Sequence, residues 1–249
     1  MQIEWGADEA ILEEPLDRLR PLGATRRSDV IARPEGPKQS RALGSSAAAL
    51  TPAPQRVASA TTLDELRAAI TAFTGCPLRD SAAHTILPEG DLTARLILIG
   101  EAPSADDDRA GRVIAGPLGE FLDKALSTVD LTRDDLLIAP LLPWRPPGDR
   151  PPSPSELALC LPFLWRLLAL ATSPYALILG PVATRALLGA QRVKRGTWVD
   201  LPISERSHSI KVLASVSLAQ TRRTPTMKRE LWTDLRKIYH RLNHNITRK

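Results

Sequence analysis

Glu101 stands one glycine beyond a short apolar run, Leu96 to Ile99. Three consecutive aspartates, Asp106 to Asp108, follow it in the stretch LILIGEAPSADDDRAG. Carboxylates gathered just after a buried strand have two readings: a site for a hard cation, or a solvated acidic turn. Such a run would repel a triphosphate unless a metal intervened. Neither G-x-G-x-x-G nor G-x-x-x-x-G-K-[ST] occurs, so this is not a nucleotide loop of the usual kinds. No histidine or further carboxylate cluster recurs at the other strand ends, and the acidic turn is the expectation. The thiols are equally sparse. Cys76 and Cys160 supply at most one disulfide or half of a thiolate metal site, and they read as free thiols in a reducing compartment.

The net charge is +5, and it is concentrated. From Arg222 to Lys249 there are nine Lys or Arg against two acids, Glu230 and Asp234, a local +7. A basic end on an otherwise near-neutral chain points to a polyanion, of which nucleic acid is the commonest. No apolar run reaches the roughly 18 residues of a membrane span. The N-terminal MQIEWGADEA is acidic and lacks a signal-peptide core. The expectation is a soluble cytoplasmic monomer.

The elements that must position these residues are marked by pattern. Residues 1–60 are rich in Pro, Ser, Ala and Gly without an apolar period, and read as a flexible tail. A domain over 61–245 follows. It opens with TTLDELRAAITAF, where Thr62 and Glu65 have capping-box spacing. Apolar strands RLILIG, DLLIAPLL, YALILG and SIKVLASV alternate with helical stretches. Among these, SPSELALCLPFLWRLLALA starts from Ser153 with Pro154 at N1 and Glu156 at N3. Continuous apolar strands between helices predict a three-layer α/β/α fold on a central parallel sheet. Sites in such sheets lie at the carboxyl ends of the strands, which is where Glu101 falls.

Four blocks carry a family resemblance. GEAPSADDDRAGRVIAGPLG resembles motif A of family 4 uracil-DNA glycosylases, close to GEAPG-x-x-E-D-x-x-G-x-x-F-x-G-x-x-G. WRPPGDRPPSPSELALCLPFL is similar to the family's C-R-P-P-G-N-R-x-P-x-x-x-E-x-x-x-C-x-P-[FY]-L, and LILGPVATRALLG to its A-L-G-x-x-A-x-x-x-L-L-G. RTPTMKRELWTDL resembles the segment after motif B. The blocks keep the family's order over about residues 62 to 240. The resemblance implies a pocket for a flipped-out base, cleavage of an N-glycosidic bond, and phosphate contacts at the rim.

Residue by residue, the resemblance implies a mixed inheritance. The motif A glutamate falls on Glu101, followed by Ala102 and Pro103. The base-stacking phenylalanine falls on Ile114, which has no π-face. The uracil-reading asparagine falls on Pro140, which has neither a side-chain amide nor an N–H. The motif B histidine falls on Ser217. Of the four cysteines that usually hold a four-iron, four-sulfur cluster, two fall on Phe73 and Trp144, leaving Cys76 and Cys160. The cluster is therefore expected to be absent, with the two rings as an apolar plug and no metal elsewhere. Arg145, Arg150, Arg222, Arg223 and Lys228 lie in the blocks that border the DNA cleft in the family.

Three functions stay open on these grounds. The leading one is a DNA repair protein that binds DNA, single-stranded or damaged, with weak or no uracil excision. The second is an active glycosylase with altered base preference, using Glu101 and Ser217 on uracil or another damaged base. The third is a non-catalytic partner of another repair protein, docking through the N-terminal tail.

Overall fold

The computed structural model describes residues 55–189, 193–204 and 209–244. Residues 1–54 of the expected tail lie outside them. The described chain opens with α1 (Gln55–Ser59), α2 (Leu63–Ala72) and α3 (Leu78–Ser81). Strand β1 (Leu96–Ile99) leads into α4 (Ala105–Ala110) and α5 (Gly116–Ser127). Then come β2 (Leu136–Ala139), α6 (Pro154–Leu170), β3 (Tyr175–Leu179) and α7 (Pro181–Leu188). The chain finishes with β4 (Trp198–Leu201), β5 (Ile210–Ser215), α8 (Leu218–Thr221) and α9 (Pro225–His244).

The strands form one sheet in the order β2-β1-β3-β5-β4. The first four are parallel, as expected from their unbroken apolar runs. The period of two sorts their side chains onto opposite faces. Ile97, Ile99, Leu137, Ala139 and Ile178 pack with α1, α2 and α6. Leu96, Leu98, Leu136, Ile138 and Leu177 pack with α5 and α9. The α/β/α layering follows directly, since each face of a two-sided apolar sheet must be covered.

The structure adds detail to three expectations. Strand β4 pairs antiparallel with β5, so the sheet is mixed at that edge. Its sequence WVDL is half exposed and gives no continuous apolar run. The expected tail boundary at residue 60 falls inside packed structure, because Val57 and Ala60 are buried against α2 and α6. The acidic run is neither a solvated turn nor, among the described residues, part of a metal-binding cluster. It is the first turn of α4, capped by Ser104, with Asp107 and Asp108 buried. Carboxylates in a first turn are favoured by the unpaired N–H groups and the helix dipole.

The long helices are anchored by charge. Ser153 caps α6 in a complete capping box with Glu156. Arg150 adds a bidentate pair to the same carboxylate, at 2.9 and 2.6 Å. On α9, Asp234 is 0% exposed, accepting from Ser215 Oγ at 2.8 Å and Arg195 Nη1 at 2.9 Å. This ties the helix to the end of β5.

The Arg150 hydrogen bonds, ahead of the capping bonds from Ser153, hold the Glu156 carboxyl down at about 2, against an ordinary 4.5. A depressed carboxylate stabilises the fold above its unfolded value and loses that contribution as pH falls through the folded one. Wild-type stability should therefore drop between about pH 4.5 and pH 2. Glu156→Gln should flatten that drop in urea titrations run across the same window.

Candidate functional site

The carboxyl ends of β1, β2 and β3 open onto a pocket of about 90 Å³. Its walls are Glu101, Ala102 and Pro103 after β1, Pro140 after β2 and Leu179 at the end of β3. Ile86, Val113, Ile114, Leu118, Leu218 and Ala219 complete it, with Ser104 and Asp107 as further polar groups. Five residues expected here from the sequence, Glu101, Ala102, Pro103, Ile114 and Pro140, do converge. Ile86, Leu118, Leu179, Leu218 and Ala219 were not foreseen, because an apolar side chain at a loop end looks the same whether it lines a pocket or the core.

Glu101 is placed by close packing as much as by hydrogen bonding. Its Oε2 accepts from Ser217 Oγ at 2.5 Å. A Cβ at Gly180 would lie 2.2 Å from Glu101 Oε1, and Gly180 has φ +80°. Only glycine meets both demands: the left-handed backbone that starts α7, and the space the carboxylate occupies. Burial pushes the Glu101 carboxyl above its ordinary range, and the bond from Ser217 opposes that only in part. Ser217 itself is buried and is not part of the pocket wall. Its hydroxyl is committed to Glu101 and positions the carboxylate in this structure.

The opposite wall is a strained loop. Ile114 adopts φ +52°, which a β-branched residue rarely does. Three charged groups hold it there. Arg133 donates to Val113 O at 3.0 Å and to Ile114 O at 2.6 Å. Glu89 accepts from Val113 N at 2.8 Å. Asp107 Oδ1 accepts from Ala115 N at 2.6 Å, while its Oδ2 accepts from Ser104 N at 2.7 Å. Backbone strain of this kind costs about 1–3 kcal/mol and persists only where the surroundings enforce it.

The five expected DNA-contacting residues divide. Arg222 and Arg223 border a shallow depression that shares Ser104, Leu118 and Ala219 with the pocket, and so flank its mouth. They and Lys228 are exposed, with no ion pair among the described residues. Arg145 pairs with Asp149 at 2.7 Å, close to the same depression. Arg150 is committed to Glu156, which removes it from the set of free cations.

Away from the pocket, Cys76 and Cys160 bring their sulfurs to 3.8 Å, both buried. Phe73 and Trp144 pack beside them, ring centroids 6.2 Å apart, and Phe163 meets both rings edge-on. Trp144 is 1% exposed and donates its N–H to Thr85 Oγ1 at 3.1 Å.

Comparison with known proteins fits this geometry. The family model of the uracil DNA glycosylase superfamily matches residues 87–236, more than half of the chain. The chain belongs to the uracil-DNA glycosylase superfamily. Its relatives include the type-4 uracil-DNA glycosylase of Pyrobaculum aerophilum, 33% identical over 45% of this chain and 58% of that one. That of Thermotoga maritima is 30% identical over 51% of this chain and 68% of its own. That of Archaeoglobus fulgidus is 27% identical over 71% and 91%. The match to the Pyrobaculum enzyme spans less than two thirds of its length. Among the described residues, no helix is long and apolar enough to cross a membrane.

A carboxyl raised by burial gives stability below its ordinary value of 4.5, and loses it as pH rises through the folded value. At neutral pH the glycosylase-family fold therefore carries a cost at Glu101. Glu101→Gln keeps an acceptor for Ser217 and removes the charge. It should raise unfolding stability at pH 7 and leave it unchanged near pH 4, as measured by urea denaturation at both values.

Proposed function

We propose that this glycosylase-superfamily chain binds DNA and admits an unstacked base to the Glu101 pocket, but excises uracil weakly or not at all. The observation that carries this is the composition of the pocket wall. Pro140 and Ile114 stand where uracil recognition needs an amide and a ring, and Ser217 is held behind Glu101 at 2.5 Å.

Cleavage of an N-glycosidic bond separates charge, leaving a cationic sugar and an anionic base. Glu101 can offset the sugar's charge or orient a water. It repels the departing base anion, whose stabilisation calls for donors aimed at the base oxygen. Pro140 offers no donor, and the Ser217 hydroxyl is already spent. One missing donor of this type costs about 10²–10³ in rate. Arg222 and Arg223 at the mouth suit phosphates, which fix the strand without reading its sequence.

The same reading includes the absence of the family's iron–sulfur cluster. Four thiolates hold a four-iron cluster, and this chain supplies two. The Phe73 and Trp144 rings share one buried core cluster with the remaining pair. These residues do not fit that group. The purified protein should be colourless, with iron far below one equivalent by metal analysis. Broad absorbance near about 400 nm with stoichiometric iron would overturn this part.

A second reading keeps weight because of one observation. A buried carboxyl with a raised proton affinity, standing in a pocket, is what a working acid–base group looks like. An active enzyme on uracil or another damaged base is that reading. The deciding assay uses uracil-containing single-stranded DNA, with binding and alkali-induced scission read together. Binding without detectable scission is the expected result. Pro140→Asn, Ile114→Phe and Ser217→His combined should raise scission. Robust wild-type turnover abolished by Glu101→Ala would establish the second reading instead.

A further inference from the structure

We infer that the outer face of α9 is a platform for single-stranded nucleic acid leaving the pocket mouth, with Trp232 stacking on an unpaired base. The inference rests on the DNA-binding reading above and extends it to a part of the molecule that lies outside the pocket.

Among the described residues, Trp232 is the one large hydrophobic side chain that stands exposed, at 47%. An exposed ring offers a flat apolar face on which an unpaired base can stack. The Arg236 guanidinium lies 4.9 Å from its ring centroid, a cation–π contact that presents a flat ring and a flat cation together. Arg229, Trp232 and Arg236 fall at i, i+3 and i+7, and so share one face of the helix. Lys228 is exposed beside them.

The acids of α9 are turned elsewhere. Asp234 is buried against Ser215 and Arg195, and Glu230 pairs with Arg195 at 3.4 Å. The outer face is left with one sign of charge. At its near end stand Arg222 and Arg223, flanking the mouth. From Pro225 to Arg236 the helix rises about 16 Å. That is room for a few nucleotides at the ~3.4 Å charge spacing of one stacked strand.

Charge complementarity selects the occupant. The exposed helix neighbours of Trp232 are Lys228, Arg229, Thr233 and Arg236, whereas the centre of a protein interface is depleted of charge. An aromatic ring set in a basic track is the arrangement that binds single strands without regard to sequence, because every base has a π-face. Duplex DNA keeps its bases stacked internally and has little to offer the ring.

The test measures binding of the full chain to a labelled oligo(dT) strand and to a hairpin duplex over a salt series. Trp232→Ala and Trp232→Leu should each weaken single-strand binding about tenfold or more, with the salt slope unchanged and duplex binding little affected. Trp232→Phe should retain most of the affinity. Arg222→Ala with Arg223→Ala should instead lower the salt slope by about two. Wild-type binding that Trp232→Ala and Trp232→Leu leave intact would overturn the platform and spare the DNA-binding reading. No wild-type binding to either DNA would overturn both. If Trp232→Leu keeps what Trp232→Ala loses, or if Trp232→Ala changes only self-association in sedimentation, the face is a protein contact and the inference fails.

Discussion

The carboxylate of Asp107 is the tie on which the pocket depends. One of its oxygens holds the Ser104 end of the loop after β1, and the other holds Ala115 on the opposite wall. A single side chain thus spans the two segments between which a base would enter. It also completes the cap of α4. Removing it would release two backbone N–H groups and the Ser104 hydroxyl at once, and each buried donor left without a partner costs about 1–3 kcal/mol. Asp107 shares with Arg133 and Glu89 the holding of Ile114 in its left-handed conformation. The acidic neighbours have separate tasks. Asp108 accepts from His84 N at 2.9 Å, and Asp106 pairs with Arg109 at the surface.

Against that clamped outer wall, the inner wall is set by the contact between Glu101 and Gly180. The two constraints are independent. Asp107 sets the width of the mouth, while Gly180 and Ser217 set where the carboxylate stands in the pocket. The side chains of Pro140 and Ile114 contribute surface to the pocket, whereas the bond that holds Ile114 in its wall runs through its backbone carbonyl. Changing those side chains would alter the pocket's surface and leave its supporting bonds in place.

Much of the layering was legible in the sequence because unbroken apolar strands and amphipathic helices have few other ways to pack. The closing helix buries Leu231, Leu235, Ile238 and Leu242, as its spacing requires. Strand β4 was not legible, since a short edge strand with one buried residue has no strong period. Helix α4 was hidden for a different reason. Aspartates in a first turn and aspartates in a solvated loop are the same letters, and only the Ser104-to-Asp107 spacing distinguishes them. A related ambiguity covers Arg150. Its position in a basic block suggested a phosphate contact, while the Ser153–Glu156 cap three residues on was the signal that it had a partner. Of the pocket, the residues named by resemblance converged, and the apolar ones beyond it could not be told from core.

The aromatic cluster at Phe73, Trp144 and Phe163 has a consequence for how this lineage can change. A Trp or Phe cut back from a packed core costs about 3–5 kcal/mol, a large share of a domain's stability. Placing a cysteine at either ring position alone would open such a hole while giving only three thiols. Packing and thiol number therefore cannot be improved together by one substitution, and any single step toward four thiols would pass through a less stable fold.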